Sequence, residues 1–237
     1  MSASKTALVT GASRGIGKAI AENLARDHHV VVGGSSRERV DAVVASLREQ
    51  GHSAEPLAID LREVAAIPAA VESLGLRRLD VLVHSAGVAW LRPVAETTPA
   101  EWQEMFTVNL FAVAELTRVT LPLLRESSGQ VVSINSGSGY TARVNSSMYS
   151  GSKFALRAFT DSLREEERGK VRVISIHPGR VDTDMQMDLQ KASGNTDYDG
   201  AVYVSPHAIA ETVRTAVDLE AASTVEELTI RPVAQKR

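Results

Sequence analysis

The chain has 237 residues, 43% of them hydrophobic, with a formal charge of -3 from 26 Lys and Arg against 29 Asp and Glu. That length suits one sizeable core rather than two domains, and with no basic run the sequence offers no nucleic-acid patch. There is no Cys, which excludes disulfides and thiolate metal sites, and the six His form no ligand cluster, so the expected partners are small molecules and no metal.

The opening Met1 to Lys5 lacks the apolar stretch of a secretory leader, which points to a cytoplasmic address. Apolar runs such as Val30 to Val32 and Val81 to Val83 are strand-sized, far below the roughly 20 residues of a membrane span, so no membrane segment is expected. In chain order, short runs rich in β-branched residues predict strands near Thr6 to Val9, Val30 to Gly33, Ala54 to Ala58, Val81 to His84, Val131 to Asn135, Val171 to Ile176 and Leu228 to Arg231. Helical periodicity fills the intervals at Ile16 to Arg26, Arg37 to Gln50, Glu63 to Leu74, Pro99 to Leu124, Met148 to Glu167 and Pro206 to Leu219. Thr98-Pro99 and Ser205-Pro206 each place a hydroxyl at the N-cap and proline at the first helical position, where its missing N–H costs nothing.

Alternation of this kind predicts an α/β fold: one Rossmann-type doubly wound domain over residues 1–237, a seven-stranded, mostly parallel sheet with helices on both faces. The segment Arg180 to Val204 is long, polar and predicted as a connection. A connection of that length is usually functional or mobile, and it is expected to act as a substrate lid.

The first connection reads Thr10-Gly11-Ala12-Ser13-Arg14-Gly15-Ile16-Gly17. Glycines permit tight curvature and close approach of the backbone to a pyrophosphate, while the following helix offers its positive end. At the end of the second strand, Gly33-Gly34-Ser35-Ser36-Arg37 carries no acid to hold a ribose 2′-hydroxyl. Ser35, Arg14 and Arg37 are instead suited to a 2′-phosphate, which predicts NADP(H) over NAD(H).

In Tyr149-Ser150-Gly151-Ser152-Lys153 the tyrosine and lysine stand four residues apart, on one face of a helix. A lysine cation near a phenol favours the phenolate and brings proton exchange closer to neutral pH. Ser136 closes the fifth strand at the carboxyl edge, where open α/β sheets collect ligands.

Together these segments resemble the short-chain dehydrogenase/reductase family in its short, single-domain form, over essentially the whole chain. Thr10 to Gly17 resembles the family's Thr-Gly-x-x-x-Gly-x-Gly motif, Asp60-Leu61 its adenine-contacting Asp, and Asn109, Ser136, Tyr149 and Lys153 its catalytic set. The resemblance implies Tyr149 as general acid/base, Ser136 as hydrogen-bond donor to the carbonyl, and Lys153 as holder of the nicotinamide ribose that also lowers the tyrosine pKa. Asn109 would keep a proton-relay water through its backbone. It further implies cofactor contacts from Gly11, Ser13, Arg14, Gly15, Ile16, Gly17, Ser35, Arg37, Asp60, Leu61, Ala86, Gly87, Tyr149, Lys153, Pro178, Gly179, Val181 and Thr183, the last bonding the carboxamide. A homodimer or homotetramer follows by the same resemblance, through the helices that begin at Pro99 and Met148.

His84-Ser85-Ala86-Gly87 departs from the family's Asn-Asn-Ala-Gly. His177 reads as a hydrogen-bonded strand-end residue without a catalytic role. Trp90, Tyr140, Val144, Met185 and Met187 fall in loops that can line a partly apolar pocket, and Arg164 to Arg168 reads as a solvated charged face. The expected activity is NADP(H)-dependent interconversion of a ketone or aldehyde with an alcohol. A catalytically silent NADP(H) sensor on the same fold, and a dehydratase or epimerase retaining the Tyr and Lys, are the alternatives.

Overall fold

The seven expected strands form: β1 (Lys5–Val9), β2 (His28–Gly34), β3 (Ala54–Ala58), β4 (Val81–His84), β5 (Gln130–Ile134), β6 (Arg172–Pro178) and β7 (Glu227–Ile230), with valine runs in β2, β4 and β5. This is a computed structural model and describes residues 5–195 and 197–233; the Met1 to Ser4 part of the leader reading and Thr196 of the lid region lie outside them. All seven strands join one sheet in the order β3-β2-β1-β4-β5-β6-β7, and every pairing is parallel. The chain leaves β1 toward β2 and later returns to its other side at β4, so the carboxyl ends of β1 and β4 flank the switch point where such sheets bind ligands.

Both faces of the sheet centre are covered, which is why the central strands are apolar runs, whereas the edge strands β3 and β7 carry Glu55 and Glu227. The side-chain alternation of a strand sends Ala7 and Val9 into one core and Leu8 into the other. The first core takes Ile20 and Leu24 of α1 (Gly15–Leu24), Val40 and Leu47 of α2 (Arg37–Glu49), and Ile209 and Val213 of α8 (Pro206–Val217). The second takes Ile67 and Val71 of α3 (Ile67–Glu72), Leu116 and Leu124 of α5 (Ala112–Ser127), and Leu163 of α6 (Ser147–Glu166).

Three segments differ from the sequence expectation. The helix expected over 63–74 is a short 3-10 turn, Val64–Ala66, followed by α3 with Pro68 in its first turn. The helix expected over 99–124 is α4 (Pro99–Phe106), one π-helical turn at Thr107–Phe111, and α5, which stops at the left-handed Ser128. Taken together, residues 99–127 are also long and apolar enough to cross a membrane by length and composition, a property that strand-sized windows missed. Met105, Leu116 and Leu124 of this run are buried in the fold.

The Arg180 to Val204 connection is not irregular throughout. It carries α7 (Asp184–Ala192) and a 3-10 turn at Gly200–Val202. Its two ends are stapled by a parallel bridge, with Asp182 N–H donating to Val204 O at 2.8 Å and Val204 N–H to Arg180 O at 3.0 Å. The missed helix had a sequence signal: Thr183 followed three residues later by Gln186 is an N-cap pattern, and the Thr183 hydroxyl accepts the Gln186 N–H at 3.3 Å.

Candidate active site

The turn after β1 is folded by space as much as by conformation. Gly11 has a left-handed φ of +64°, and a Cβ there would lie 2.8 Å from the Ala86 backbone. Gly17 has ordinary helical geometry, yet its Cβ would fall 2.3 Å from the Gly11 carbonyl oxygen. Thr10 joins this turn to the end of β4: its hydroxyl donates to Val83 O at 3.3 Å and accepts the N–H groups of Ser85 and Ala86 at 3.2 Å.

At the start of α1, Arg14 supplies no side-chain cap and the first turn carries no acid. The helix therefore turns uncapped N–H groups and the positive end of its dipole into the groove, an arrangement that fits a bound pyrophosphate. The groove runs from Thr10 to Gly17 past Gly34, Ser35, Asp60, Leu61, Ala86 and Gly87 to Thr183 and Met185, so most of the expected cofactor contacts line one cleft.

Arg14 and Ser35 line this groove, whereas Arg37 is not among its lining residues. Arg37 points its Nε to Asp41 at 2.8 Å, one turn along α2. Arg14 pairs with Asp184 of α7 at 3.3 Å, which links the phosphate turn to the 180–204 connection. Arg62 is a groove residue the sequence reading missed; it bonds Asp60 at 3.1 Å and Glu104 at 2.9 Å.

Ser136 follows β5 in extended conformation and its Oγ accepts the Ser138 N–H at 3.1 Å, leaving its own proton for another acceptor. The same side chain acts on the half-buried Tyr149 phenol, near the start of α6, and favours its ionised form. Burial pushes the phenol above its ordinary value and the Ser136 contact opposes this. Desolvation is the larger of the two effects, so the net direction for the Tyr149 phenol is upward.

Lys153 is buried, its Nζ donates to Ile134 O at 3.1 Å, and burial pushes its pKa down to about 8. Asn109 sits inside the π-turn, a distortion that recurs at functional sites. Its side chain is fully engaged: Oδ1 accepts Val88 N–H at 2.9 Å, while Nδ2 donates to Val88 O and to Ser152 Oγ, both at 3.0 Å. Side-chain bonds thus clamp α6 and the β4 loop to the π-turn, leaving the backbone of Asn109 as the part that can serve a water.

Beyond these four, Thr183 serves as the N-cap of α7, and Val181 is buried at the bridge to Val204. Gly179 donates its N–H to Ile230 O at 2.7 Å, fixing the Pro178-Gly179 segment to β7. Among the apolar pocket candidates, Met185 lines the groove, Val144 and Met187 are exposed, and Tyr140 packs on His177 at a ring separation of 4.5 Å. His84 is fully buried and donates from Nε2 to Thr117 Oγ1 at 2.9 Å, because that hydroxyl gives its own proton to Val113 O. No metal-holding group of His, Cys, Asp or Glu occurs among the described residues.

The family model for short chain dehydrogenases matches residues 5–194. An uncharacterized oxidoreductase of Staphylococcus saprophyticus is 34% identical over 97% of each chain. A serine 3-dehydrogenase of Agrobacterium fabrum is 32% identical over 98% of this chain and 95% of its own. An alcohol dehydrogenase from the archaeon Thermococcus sibiricus, complexed with 5-hydroxy-NADP, superposes with a TM-score of 0.88 at 29% identity over 98% of both chains. A serine dehydrogenase in closed form with NADP+ gives a TM-score of 0.89 at 28% identity, covering 98% of this chain and 96% of that one. With its fold, phosphate turn and Ser136, Tyr149 and Lys153 constellation already in place, this chain belongs to the short-chain dehydrogenase family of oxidoreductases.

Proposed function

We propose that the protein is an NADP(H)-dependent reductase that interconverts a ketone or aldehyde with an alcohol, with Tyr149 as general acid/base. The observation that carries this reading is that Ser136 acts on a half-buried Tyr149 phenol whose pKa burial raises, with the buried Lys153 ammonium 5.9 Å from the Tyr149 ring. The cofactor, when bound, supplies or accepts the hydride. Ser136 hydrogen-bonds the substrate oxygen through its hydroxyl and keeps its proton, Tyr149 transfers its proton to that oxygen as charge develops, and Lys153 stabilises the phenolate left behind. Asn109 holds a water that returns the proton through its backbone. The 180–204 lid closes over the substrate.

Support for NADP(H) comes from Ser35 and Arg14 in the groove, where no carboxylate follows β2, and from similar proteins with NADP-type ligands. The serine dehydrogenases among the relatives make a β-hydroxy acid a first candidate substrate. The sensor alternative is disfavoured by the intact Ser136, Tyr149 and Lys153 set. By the family resemblance the protein is also read as a homodimer or homotetramer in the cytoplasm, paired through the continuous run of α4, the π-turn and α5 and through α6.

The test is NADPH consumption with a panel of ketones, aldehydes and diketones, and NADP+ reduction with L-serine, with Tyr149→Phe alongside. Turnover lost in the variant supports the reading. Equal turnover in the variant removes Tyr149 from the mechanism.

A further inference from the structure

Behind Ser136 lies a buried polar cluster that the proposed chemistry does not use. His177, near the end of β6, has no solvent exposure. Its Nδ1 is 3.2 Å from the Ser136 carbonyl oxygen, and its Nε2 is 2.9 Å from Ser175 Oγ and 3.3 Å from the Tyr140 hydroxyl. Tyr140 in turn donates to Glu227 Oε2 at 2.7 Å. Arg157 covers the Tyr140 ring at 4.1 Å and approaches Glu227 Oε1 at 3.6 Å.

The partners fix the tautomer. A carbonyl oxygen can only accept, so the imidazole proton sits on Nδ1 and points at Ser136. Nε2 then accepts the Ser175 hydroxyl proton, and Tyr140 gives its proton to the Glu227 carboxylate. The Ser136 carbonyl takes two donors: Gly139 N–H at 2.9 Å, inside its own turn, and the imidazole of the neighbouring strand. The Gly139 bond would move with the turn. The last backbone bond from β5 to β6 is Asn135 N–H to Ile176 O at 2.8 Å, and the His177 bond carries the tie one residue further, to the serine's own carbonyl.

We propose that His177 is a positioning residue for Ser136: its Nδ1–H, donated to the Ser136 carbonyl, fixes the peptide after the serine and so aims Oγ at Tyr149. The Ser175 hydroxyl holds the ring in that tautomer, and the Tyr140 ring, packed on the imidazole at a centroid separation of 4.5 Å and anchored to Glu227, holds its orientation. This rests on the reading that Ser136 and Tyr149 touch the reacting oxygen. Small displacements of groups at the reacting centre are amplified in rate, so the signature is a loss in kcat, with binding spared.

Three variants separate this from a merely structural role. His177→Asn keeps an amide donor near the position of Nδ1, His177→Gln places its amide near Nε2, and His177→Phe keeps only a ring. With the panel carbonyl turned over fastest, His177→Phe and His177→Gln are expected to lose about tenfold or more in kcat, with KM and NADPH affinity within about twofold, while His177→Asn recovers most of the rate. Rates are taken per folded protein, measured by NADPH binding; if the Phe variant does not fold, the Asn and Gln pair decides.

Wild-type rates in all three variants overturn the proposal, as does an Asn variant as slow as Gln, or a loss confined to KM or NADPH affinity. Tyr149→Phe runs as control. Full activity there overturns the catalytic reading itself, whereas an inactive Tyr149→Phe beside a flat His177 series overturns only the positioning role.

Discussion

Lys153 directs its Nζ at the carbonyl of Ile134, 3.1 Å away, and stands 5.9 Å from the centroid of the Tyr149 ring. The ammonium therefore acts on the phenol through space, anchored to the end of β5, and burial lowers its pKa to about 8. Below that pH the lysine is charged and supports a developing phenolate; above it the support is lost. For carbonyl reduction, kcat/KM is expected to fall as pH rises through about 8, since this parameter reports groups of the free enzyme. Lys153→Met should remove that limb and lower kcat by about a hundredfold, within the range of one proton-transfer partner. A flat profile from pH 7 to 9.5 in the wild type would count against this role.

The two arginines expected at the 2′-phosphate are not equivalent. Arg37 is spent on Asp41, whereas Arg14 lies in the groove against Asp184, which a bound phosphate can displace. Arg14→Ala is expected to weaken NADPH binding about tenfold, and Arg37→Ala by less than about twofold. Ser35→Asp brings a carboxylate to the 2′-phosphate and should reverse the preference toward NADH. Titrations of both cofactors by nucleotide fluorescence decide it, and equal losses for the two arginine variants would contradict the asymmetry.

Phe111 and Phe154 expose 49% and 43% of their surface on the helices assigned to subunit pairing. Phe154→Glu places a charge on that face and is expected to shift the protein to monomer mass in light scattering at micromolar concentration. A wild type that is already monomeric would remove the pairing from the reading.

Strand identity was legible because both faces of the sheet are apolar, so that Val30 to Val32 and Val81 to Val83 stand out without alternation. The caps at Thr98 and Ser205 were equally visible and are present, Thr98 as a full capping box. What the sequence did not carry is the competition among neighbours brought together by the fold. Arg14 looks free in the sequence until the fold brings Asp184, 170 residues away, to its guanidinium, and the net direction of the Tyr149 pKa depends on desolvation that spacing cannot report. The π-turn at Asn109 has no residue signature of its own; it is imposed by side-chain bonds to Val88 and Ser152, contributed by distant segments.

His84 stands where the family carries Asn, and burial lowers its pKa from 6.5 to about 3. In the folded protein it is neutral, whereas the unfolded chain binds a proton below about pH 6.5. Stability from this residue is therefore complete above pH 6.5 and declines as pH falls toward 3, by about 1.4 kcal/mol per pH unit at most. His84→Asn removes the titration while keeping a donor. Urea unfolding at pH 7 and pH 5 should show a larger loss for wild type than for the variant, by roughly 2 kcal/mol; parallel losses would mean that His84 is solvated.

Gly51 and Gly17 are glycine for opposite reasons. Gly51 has φ +84° with open space around it, so Gly51→Ala meets only backbone strain, about 1–2 kcal/mol. Gly17 has no positive φ, but its Cβ would sit 2.3 Å from Gly11 O and 2.6 Å from Gly11 C, both backbone atoms that cannot rotate away. Gly17→Ala must push α1 off the phosphate turn, at a cost of about 3 kcal/mol or more for overpacking. At a few degrees of melting temperature per kcal/mol for a chain of this size, Gly17→Ala should lower Tm by about 6–12 °C. It should also lose NADPH binding, because the turn that opens is the one that cradles the pyrophosphate. Gly51→Ala should lower Tm by about half as much or less and bind NADPH normally, and a Gly17→Ala protein with wild-type affinity would show that the turn tolerates displacement.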